Sequence, residues 1–156
     1  MPLVVDDFEA EASSRLVSIR LAQLTLRLLD NWRDMIDDFE KVMILLAVAA
    51  ISGERFTRGE TLEEEFLHLR PTISGHPVIY GNASSVAAAT GFNRETTRRK
   101  LNQLVDAKIL MRTGNGRYRF DPSGRDVDRI LALVRKQLDT VVRTGNELVR
   151  DTILSA

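Results

Sequence analysis

The stretch that decides the fold runs from Asn82 to Phe120 and reads NASSVAAATGFNRETTRRKLNQLVDAKILMRTGNGRYRF. Asn82 is a residue type that caps helices and is followed by small residues, so it predicts a helix of about eight residues. Gly91 then supplies the backbone freedom that a tight turn requires. Asn93 is expected to cap a second helix, with Glu95 in its favourable first turn.

The second predicted helix has two chemically different faces. The side chains expected to point toward the core are Thr97, Leu101, Leu104 and Val105. The opposite face is basic and polar and carries Arg94, Glu95, Arg98, Arg99 and Asn102. A short helix, a sharp turn and a second helix with such a face predict a helix-turn-helix, whose second helix enters the major groove of DNA.

Two segments of alternating polarity follow this helix, on either side of a glycine-rich tip. They are Met111–Thr113 and Arg117–Phe120, separated by Gly114-Asn115-Gly116. The pattern predicts a β-hairpin, which would carry Arg112, Arg117 and Arg119 as the wing of a winged helix-turn-helix. The alternative is a surface hairpin with no role in binding.

The charge of the chain is unevenly distributed, although its net value is zero. Residues 82–120 contain eight basic and two acidic side chains, a net charge of +6. Residues 1–81 contain eight basic and fourteen acidic side chains, a net charge of −6, and residues 121–156 are balanced with six of each. A basic block of this kind is typical of a module that binds polyanions, and a solvated cluster of charges is the alternative.

The segments on either side of this block are predicted to be helical. Residues 13–52 carry apolar side chains at spacings of three and four, but Asp30-Asn31 favours a break, so they form either one helix or two. Residues 42–51 are apolar on most sides, which predicts burial either at the centre of a domain or between two subunits. The last helix is expected from about Asp126 to Leu154, with Gly145-Asn146 as a candidate interruption.

Between the flanking helices and the basic block, the sequence predicts two further short elements. TLEE at residues 61–64 resembles a capping box and predicts a helix that ends at Pro71. A short strand is predicted at Val78–Tyr80.

Several kinds of chemistry are not predicted from these residues. The chain has no cysteine, and its two histidines, His68 and His76, lack companion ligands at metal spacing, so no metal site is predicted. No nucleophile–base pair, phosphate-binding glycine loop or pair of catalytic carboxylates stands out, so neither an enzyme nor a cofactor is predicted. The acidic N-terminal segment is unlike a signal peptide and the longest apolar run is short for a membrane span, so we expect a cytoplasmic protein without membrane contact.

The segment 82–120 resembles the winged helix-turn-helix of bacterial transcription regulators. The run NRETTRRKL, residues 93–101, looks like the recognition helix of the catabolite-activator (Crp/Fnr) and MarR-type families, and Ala87 lies four positions before Gly91, as in those families. The resemblance implies that Arg94, Glu95 and Arg99 read bases. Nothing upstream resembles a β-rich cyclic-nucleotide domain, and the helical flanks are closer to the MarR-like architecture, in which terminal helices form a dimer.

These observations and the resemblance together predict a mainly α fold: a winged helix-turn-helix with a two-stranded wing, flanked by N- and C-terminal dimerisation helices. The expected regions are residues 1–33 for dimerisation, 34–122 for DNA binding and 123–156 for the C-terminal dimerisation helix. The predicted DNA-binding residues are Asn93, Arg94, Glu95, Thr96, Arg98, Arg99, Lys100, Arg112, Arg117 and Arg119. The expected function is transcription regulation by a homodimer on a near-palindromic double-stranded DNA site, with any small-molecule effector left unknown. The alternatives are a protein-interaction module and a nonspecific nucleic-acid-binding protein.

Overall fold

Helices dominate the fold, as the sequence predicts, and two small antiparallel sheets accompany them in the part of the chain that the structure describes. The computed structural model describes residues 2–57, 81–121 and 127–155. The helix predicted at 61–71 and the strand predicted at Val78–Tyr80 lie outside these residues. In chain order the described elements are β1 (Val4–Val5), α1 (Asp7–Ala12), α2 (Ser14–Asp30), α3 (Phe39–Thr57), β2 (Gly81–Asn82), α4 (Ala83–Thr90), α5 (Arg94–Asp106), β3 (Leu110–Arg112), β4 (Arg117–Phe120), α6 (Val127–Arg150) and β5 (Leu154–Ser155).

The chain divides into two compact units. The terminal unit combines residues 1–37 with residues 131–156, so that it contains α1, α2 and most of α6, whereas α3 belongs to the central unit. The central unit spans residues 38–130 and contains the basic block.

In the terminal unit, the first and last strands pair with each other. Strands β1 and β5 are antiparallel, with Val5 opposite Leu154. Asp6 extends this pairing, because its N–H donates to the carbonyl oxygen of Ile153 at 3.0 Å. The carboxylate of Asp6 also accepts from the N–H of Glu9 at 3.0 Å and thereby caps α1.

Helices α2 and α6 are joined within the terminal unit by charged side chains. Arg20 contacts Asp151 at 2.9 Å and Glu147 at 3.4 Å, and Arg27 contacts Glu147 at 3.3 Å. Arg143 contacts the second oxygen of the same Glu147 carboxylate at 3.2 Å. Desolvation of Glu147 opposes its ionisation, but the hydrogen bonds from Arg143 and Arg27 and the neighbouring positive charges outweigh it and hold the pKa of Glu147 below its usual value. The contact between the two helices therefore includes a network of ion pairs around Glu147.

The long N-terminal helical pattern forms two helices, with a break at the predicted pair Asp30-Asn31. Helix α2 ends at Asp30, and α3 begins at Phe39. Asn31 is buried in the break, where its amide donates to the hydroxyl of Thr140 at 3.0 Å. The side chain therefore gains a tertiary partner in place of a position inside a helix.

Helix α3 lies at the centre of the central unit. Of the two predicted environments, the centre of a domain or a contact between two subunits, the structure shows the first for its buried residues. Helix α3 contacts α4, α5, β2 and β4. Its buried side chains are Val42, Ile44, Leu45, Ala47 and Val48. The apolar residues on most sides of this helix are thus covered by its own chain.

The sheet of the central unit has three strands in the order β2-β4-β3, rather than the two that the hairpin pattern predicts. The hairpin β3–β4 pairs Leu110 with Phe120 and Arg112 with Tyr118. Strand β2 joins the other edge of β4, with Gly81 opposite Tyr118. A side chain at Gly81 would begin 3.4 Å from a methyl group of Val86, so the glycine permits a close approach of β2 to α4.

Helix α6 continues through Gly145-Asn146, so the predicted interruption does not occur. The helix ends at Arg150, before the predicted limit at Leu154. Thr152 has a positive φ of 61°, and the chain turns there into β5. A single glycine costs a helix only about 1 kcal/mol, which packing along a 24-residue helix can offset.

Candidate nucleic-acid interface

The turn between α4 and α5 is fixed by a cap at each helix start and by one glycine. Asn82 accepts from the N–H of Ser85 at 2.8 Å, and Asn93 accepts from the N–H of Thr96 at 2.8 Å. Gly91 ends α4 in the left-handed conformation, with φ of 74°, and its N–H donates to the carbonyl oxygen of Ala87 at 2.9 Å. Three residues therefore reverse the chain sharply between the two helices, as the sequence predicts.

One face of α5 is locked into the core of the central unit. Thr97, Leu101 and Leu104 are almost completely buried, and Val105 is half-buried. The hydroxyl of Thr97 donates to the carbonyl oxygen of Asn93 at 2.9 Å, so even the polar member of this face is satisfied. The predicted inward face is confirmed, and its packing fixes the rotation of α5 about its axis.

The opposite face of α5 is exposed along its first two turns. Its exposed side chains are Arg94, Glu95, Arg98, Arg99 and Asn102. Arg98 and Glu95 form an ion pair at 2.9 Å with side chains that are 63% and 78% exposed. Such an exposed pair contributes little to stability, so little free energy is lost if Arg98 and Glu95 separate and each contacts a ligand instead.

The hairpin carries three arginines in three different environments. Arg112 and Arg117 are exposed, whereas Arg119 is half-buried and its Nε–H donates to the sulfur of Met111 at 2.8 Å. The guanidinium group of Arg112 lies 5.9 Å from the ring centre of Tyr118, its cross-strand partner, at the outer limit of a cation–π contact. Gly116 has φ of 69°, the left-handed conformation that closes the hairpin beside Thr113.

Tyr118 connects the hairpin to α5. Its ring is buried, and its hydroxyl lies 3.4 Å from the side-chain oxygen of Asn102, to which it donates. The same strand pairs with β2, with Arg117 opposite Asn82, the residue that caps α4. The hairpin is therefore positioned by contacts to both helices of the turn.

Lys100 is held within the central unit and not presented on the exposed face. Its ammonium group donates to the carboxylate of Asp38 and lies 3.0 Å from that of Glu40, at the start of α3. The side chain of Lys100 is only 13% exposed. The hydrogen bonds to Asp38 and then to Glu40 raise the pKa of Lys100 above its ordinary value. A phosphate contact by Lys100 would have to replace these two partners, so the interface rests on the other basic residues.

Apart from Lys100, the predicted residues divide between the first turns of α5 and the hairpin. Asn93 and Thr96 lie at the helix start, where the backbone N–H of Thr96 is already used by the cap. Lys108 was not among the predicted site residues; it is exposed and adopts a positive φ of 57° at the junction of α5 and β3. Its only sequence signal is its membership of the basic block. Neither the Asn102–Tyr118 contact nor the Lys100–Asp38 pair has a sequence signal, because 16 and 62 residues separate the partners.

Across residues 2–57, 81–121 and 127–155, no group of three or more potential metal-ligating side chains comes together. Among the same residues, no helix combines the length and the apolar character needed to cross a bilayer.

The exposed basic residues of α5 and the hairpin are the candidate functional groups of the central unit. Arg94, Arg98 and Arg99 lie on the helix, and Arg112 and Arg117 lie on the strands beside it. Their neighbours Thr97 and Tyr118 are buried and fix the two elements that carry them. Comparison with known proteins found no matching family model, no matching curated protein and no matching solved structure.

Proposed function

We propose that the central unit is a winged helix-turn-helix that binds double-stranded DNA, and that the protein is a small dimeric bacterial transcription regulator. The observation that carries the proposal is the exposed basic face of α5, whose rotation is fixed by the burial of Thr97, Leu101 and Leu104. An exposed arginine-rich helix that follows a tight three-residue turn has the arrangement of a recognition helix. The net charge of +6 in residues 82–120 gives the same surface an attraction for a polyanion.

In this proposal the start of α5 reads base edges in the major groove. Arg94 and Arg99 donate to guanine, because a guanidinium group can donate twice to the O6 and N7 atoms of that base. Glu95 accepts from the amino group of cytosine after it leaves its exposed pair with Arg98. Each of these side chains is exposed in the first two turns of the helix, where a recognition helix makes its base contacts.

The remaining basic residues hold the sugar–phosphate backbone. Arg98 lies on the helix, and Arg112, Arg117 and Arg119 lie on the hairpin that serves as the wing. Contacts of this kind fix the register of the protein on the duplex without reading sequence. The start of α5 adds a positive helix-dipole end, around Asn93 and Thr96, that favours a nearby phosphate.

A dimer would place two such helices in successive major grooves. The site is then a near-palindrome with half-sites about 10 bp, or roughly 34 Å, apart. Regulation follows from occupancy of this site, which blocks or assists RNA polymerase.

The proposal is tested by selecting duplexes from a random pool at fixed salt with an excess of nonspecific competitor. We expect enrichment of one near-palindromic sequence, and we expect Arg99→Ala to relax the enriched preference at one base pair of each half-site. Arg135→Ala is the matched control, because Arg135 is a 76% exposed arginine on α6, outside the proposed interface. If binding occurs without any enriched sequence, the protein is a nonspecific binder. If no binding occurs, the winged fold serves another role, such as protein interaction.

A further inference from the structure

The two units of the chain differ sharply in where their large apolar side chains lie. Of the sixteen buried apolar residues in the described chain, thirteen belong to the central unit, and only Ile36, Leu133 and Ile153 belong to the terminal unit. Of the fifteen large apolar residues that are exposed, thirteen belong to the terminal unit. The central unit therefore has a core of its own, whereas the terminal unit leaves most of its apolar surface uncovered.

Helix α6 concentrates this exposed surface on one side. Successive residues of a helix are rotated by about 100°. On that geometry, five exposed apolar residues of α6 fall within an arc of about 100°. This apolar sector consists of Val134, Leu138, Val141, Val142 and Val149, which are 39–54% exposed.

The other two sides of α6 are already accounted for. One side contacts α2 through polar groups: Gln137 donates to the carbonyl oxygen of Leu28 at 3.2 Å, and Thr140 accepts from Asn31 at 3.0 Å. Another side is charged and solvated, with Arg135 and Asp139 paired at 3.3 Å and both largely exposed. The apolar sector lies outside both of these sides, and its side chains remain exposed.

Gly145 lies in the middle of the apolar sector. A Cβ atom added to it would meet no heavy atom of the described chain within 4 Å, so the described part of the chain gives no packing reason for a glycine here. Glycine inside a helix is unfavourable relative to alanine. A glycine on an exposed apolar helix face is explained if the backbone of another helix passes directly over it.

We infer that two copies of this chain join through the apolar sector of α6 and that the two α6 helices cross at Gly145. A two-fold interface brings a residue on its axis against its own copy, so one small residue serves both helices. A standard interface buries about 800 Å² on each partner, and the five exposed apolar side chains of the sector would form the apolar centre of such an interface. Dimerisation would complete the core that the terminal unit lacks.

The charges beside the sector favour a second copy over a lipid surface. A helix that lies on a membrane carries mainly Lys and Arg on its polar face. The charged side of α6 instead mixes acids and bases, as in the pair Arg135–Asp139. The α6 interface deepens the proposed function, on whose dimer it rests, but the observations behind it come from the terminal unit alone.

Site-specific cross-linking tests the inference, and the absence of native cysteine makes a single introduced cysteine unambiguous. Gly145→Cys and Asn146→Cys are compared in the full chain under mild oxidation and without DNA. The two positions are adjacent, but the Asn146 side chain points about 100° away from that of Gly145, out of the apolar sector. We expect at least tenfold more disulfide-linked dimer for Gly145→Cys, because a disulfide requires Cβ atoms about 4 Å apart.

Sedimentation of the native chain provides the companion measurement, with an expected mass twice the monomer value of 17.6 kDa at micromolar concentration. If the native chain is a monomer at micromolar concentration, the inference is overturned, and the apolar sector would contact a different protein or a lipid surface. Equal cross-linking of the two variants in a native dimer would overturn the assignment of Gly145. If Gly145→Cys disturbs the crossing, shown by loss of the dimer, Val142→Cys with a short bismaleimide replaces it. Failure of that variant to link while the native chain is dimeric would exclude the apolar sector as the interface.

Discussion

Replacing Lys100 with methionine removes an ammonium group from between two carboxylates while keeping most of the apolar stem. Asp38 and Glu40 then lie close together without their shared counter-ion. The side chain of Lys100 is 13% exposed, that of Asp38 is 25% exposed and that of Glu40 is 43% exposed. Exposed ion pairs contribute about 0–1 kcal/mol, whereas removing one partner of a buried pair costs about 3–5 kcal/mol. For this partly buried and partly screened group, we expect Lys100→Met to lower the free energy of unfolding by about 1–2 kcal/mol.

The pH dependence of this loss follows from the directions of two pKa shifts. Partial burial opposes ionisation of Asp38, but the hydrogen bonds from Lys100 and from the N–H of Lys41 outweigh it, so the pKa of Asp38 lies below its ordinary value of 3.8. Its contribution is present above that ordinary value and is lost as the pH falls through the lowered pKa. The pKa of Lys100 lies above its ordinary value of 10.5, so its contribution is complete below 10.5 and is lost above the raised pKa. The difference between native chain and variant should therefore be constant from about pH 5 to 9 and shrink below about pH 4.

Urea unfolding at a fixed protein concentration measures the loss, since an unchanged slope with a lower midpoint reports stability alone. Lys108→Met is the matched control, because Lys108 is exposed and should change stability by less than about 0.5 kcal/mol. DNA binding at several salt concentrations supplies the decisive contrast. A lost phosphate contact lowers the salt slope by about one unit, and we expect Lys100→Met to leave this slope unchanged.

One outcome would refute this reasoning directly. If Lys100→Met keeps the native stability but loses one unit of salt slope, then Lys100 leaves Asp38 and Glu40 to contact phosphate. The ion pairs would then be a resting arrangement of the free protein, and the helix α5 would owe its orientation to apolar packing alone.

Four further substitutions test separate parts of the molecule. Arg99→Ala should cost about 1–3 kcal/mol of binding free energy on the selected site and relax the preference at one base pair. Arg117→Ala should instead weaken binding to all sequences alike and lower the salt slope by about one unit. Both effects are measured as affinities for selected and scrambled duplexes. Equal losses on both duplexes for Arg99→Ala would remove it from base recognition. Gly91→Ala should lower the free energy of urea unfolding by about 1–2 kcal/mol, because φ is 74° and no neighbour within 4 Å adds a clash; an unchanged midpoint would contradict this. Gly145→Ala should weaken the dimer in sedimentation, whereas an uncovered helix would instead gain about 1 kcal/mol of stability from alanine.

The parts of the candidate site that the sequence predicts are those fixed by neighbours in the chain. The Asn82 and Asn93 caps, the left-handed turn at Gly91 and the burial of Leu101 depend on interactions within four residues or on helical periodicity. The same local rules predict the hairpin around Gly116. Nothing in these rules indicates which distant side chain a charged residue will meet.

Lys100 shows the limit of such rules. Its position beside three arginines favours a solvated basic face, yet its ammonium group pairs with Asp38, 62 residues earlier in the chain. The third strand, β2, illustrates the same limit, because Gly81 pairs with Tyr118 through contacts that no short pattern records. In both cases the tertiary fold, and not the local sequence, selects the partner.

Helices α3 and α6 both carry apolar residues at helical spacing, but these residues are mostly buried in α3 and exposed in α6. The stripe of α3 is covered by α4, α5 and β4 of the same unit, so Ile44 and Val48 are buried. The stripe of α6 remains exposed at Leu138 and Val142, which lie on a different side of the helix from Gln137, the residue that donates to α2. Periodicity reports that a face will be covered, but it cannot report whether the cover comes from the same chain.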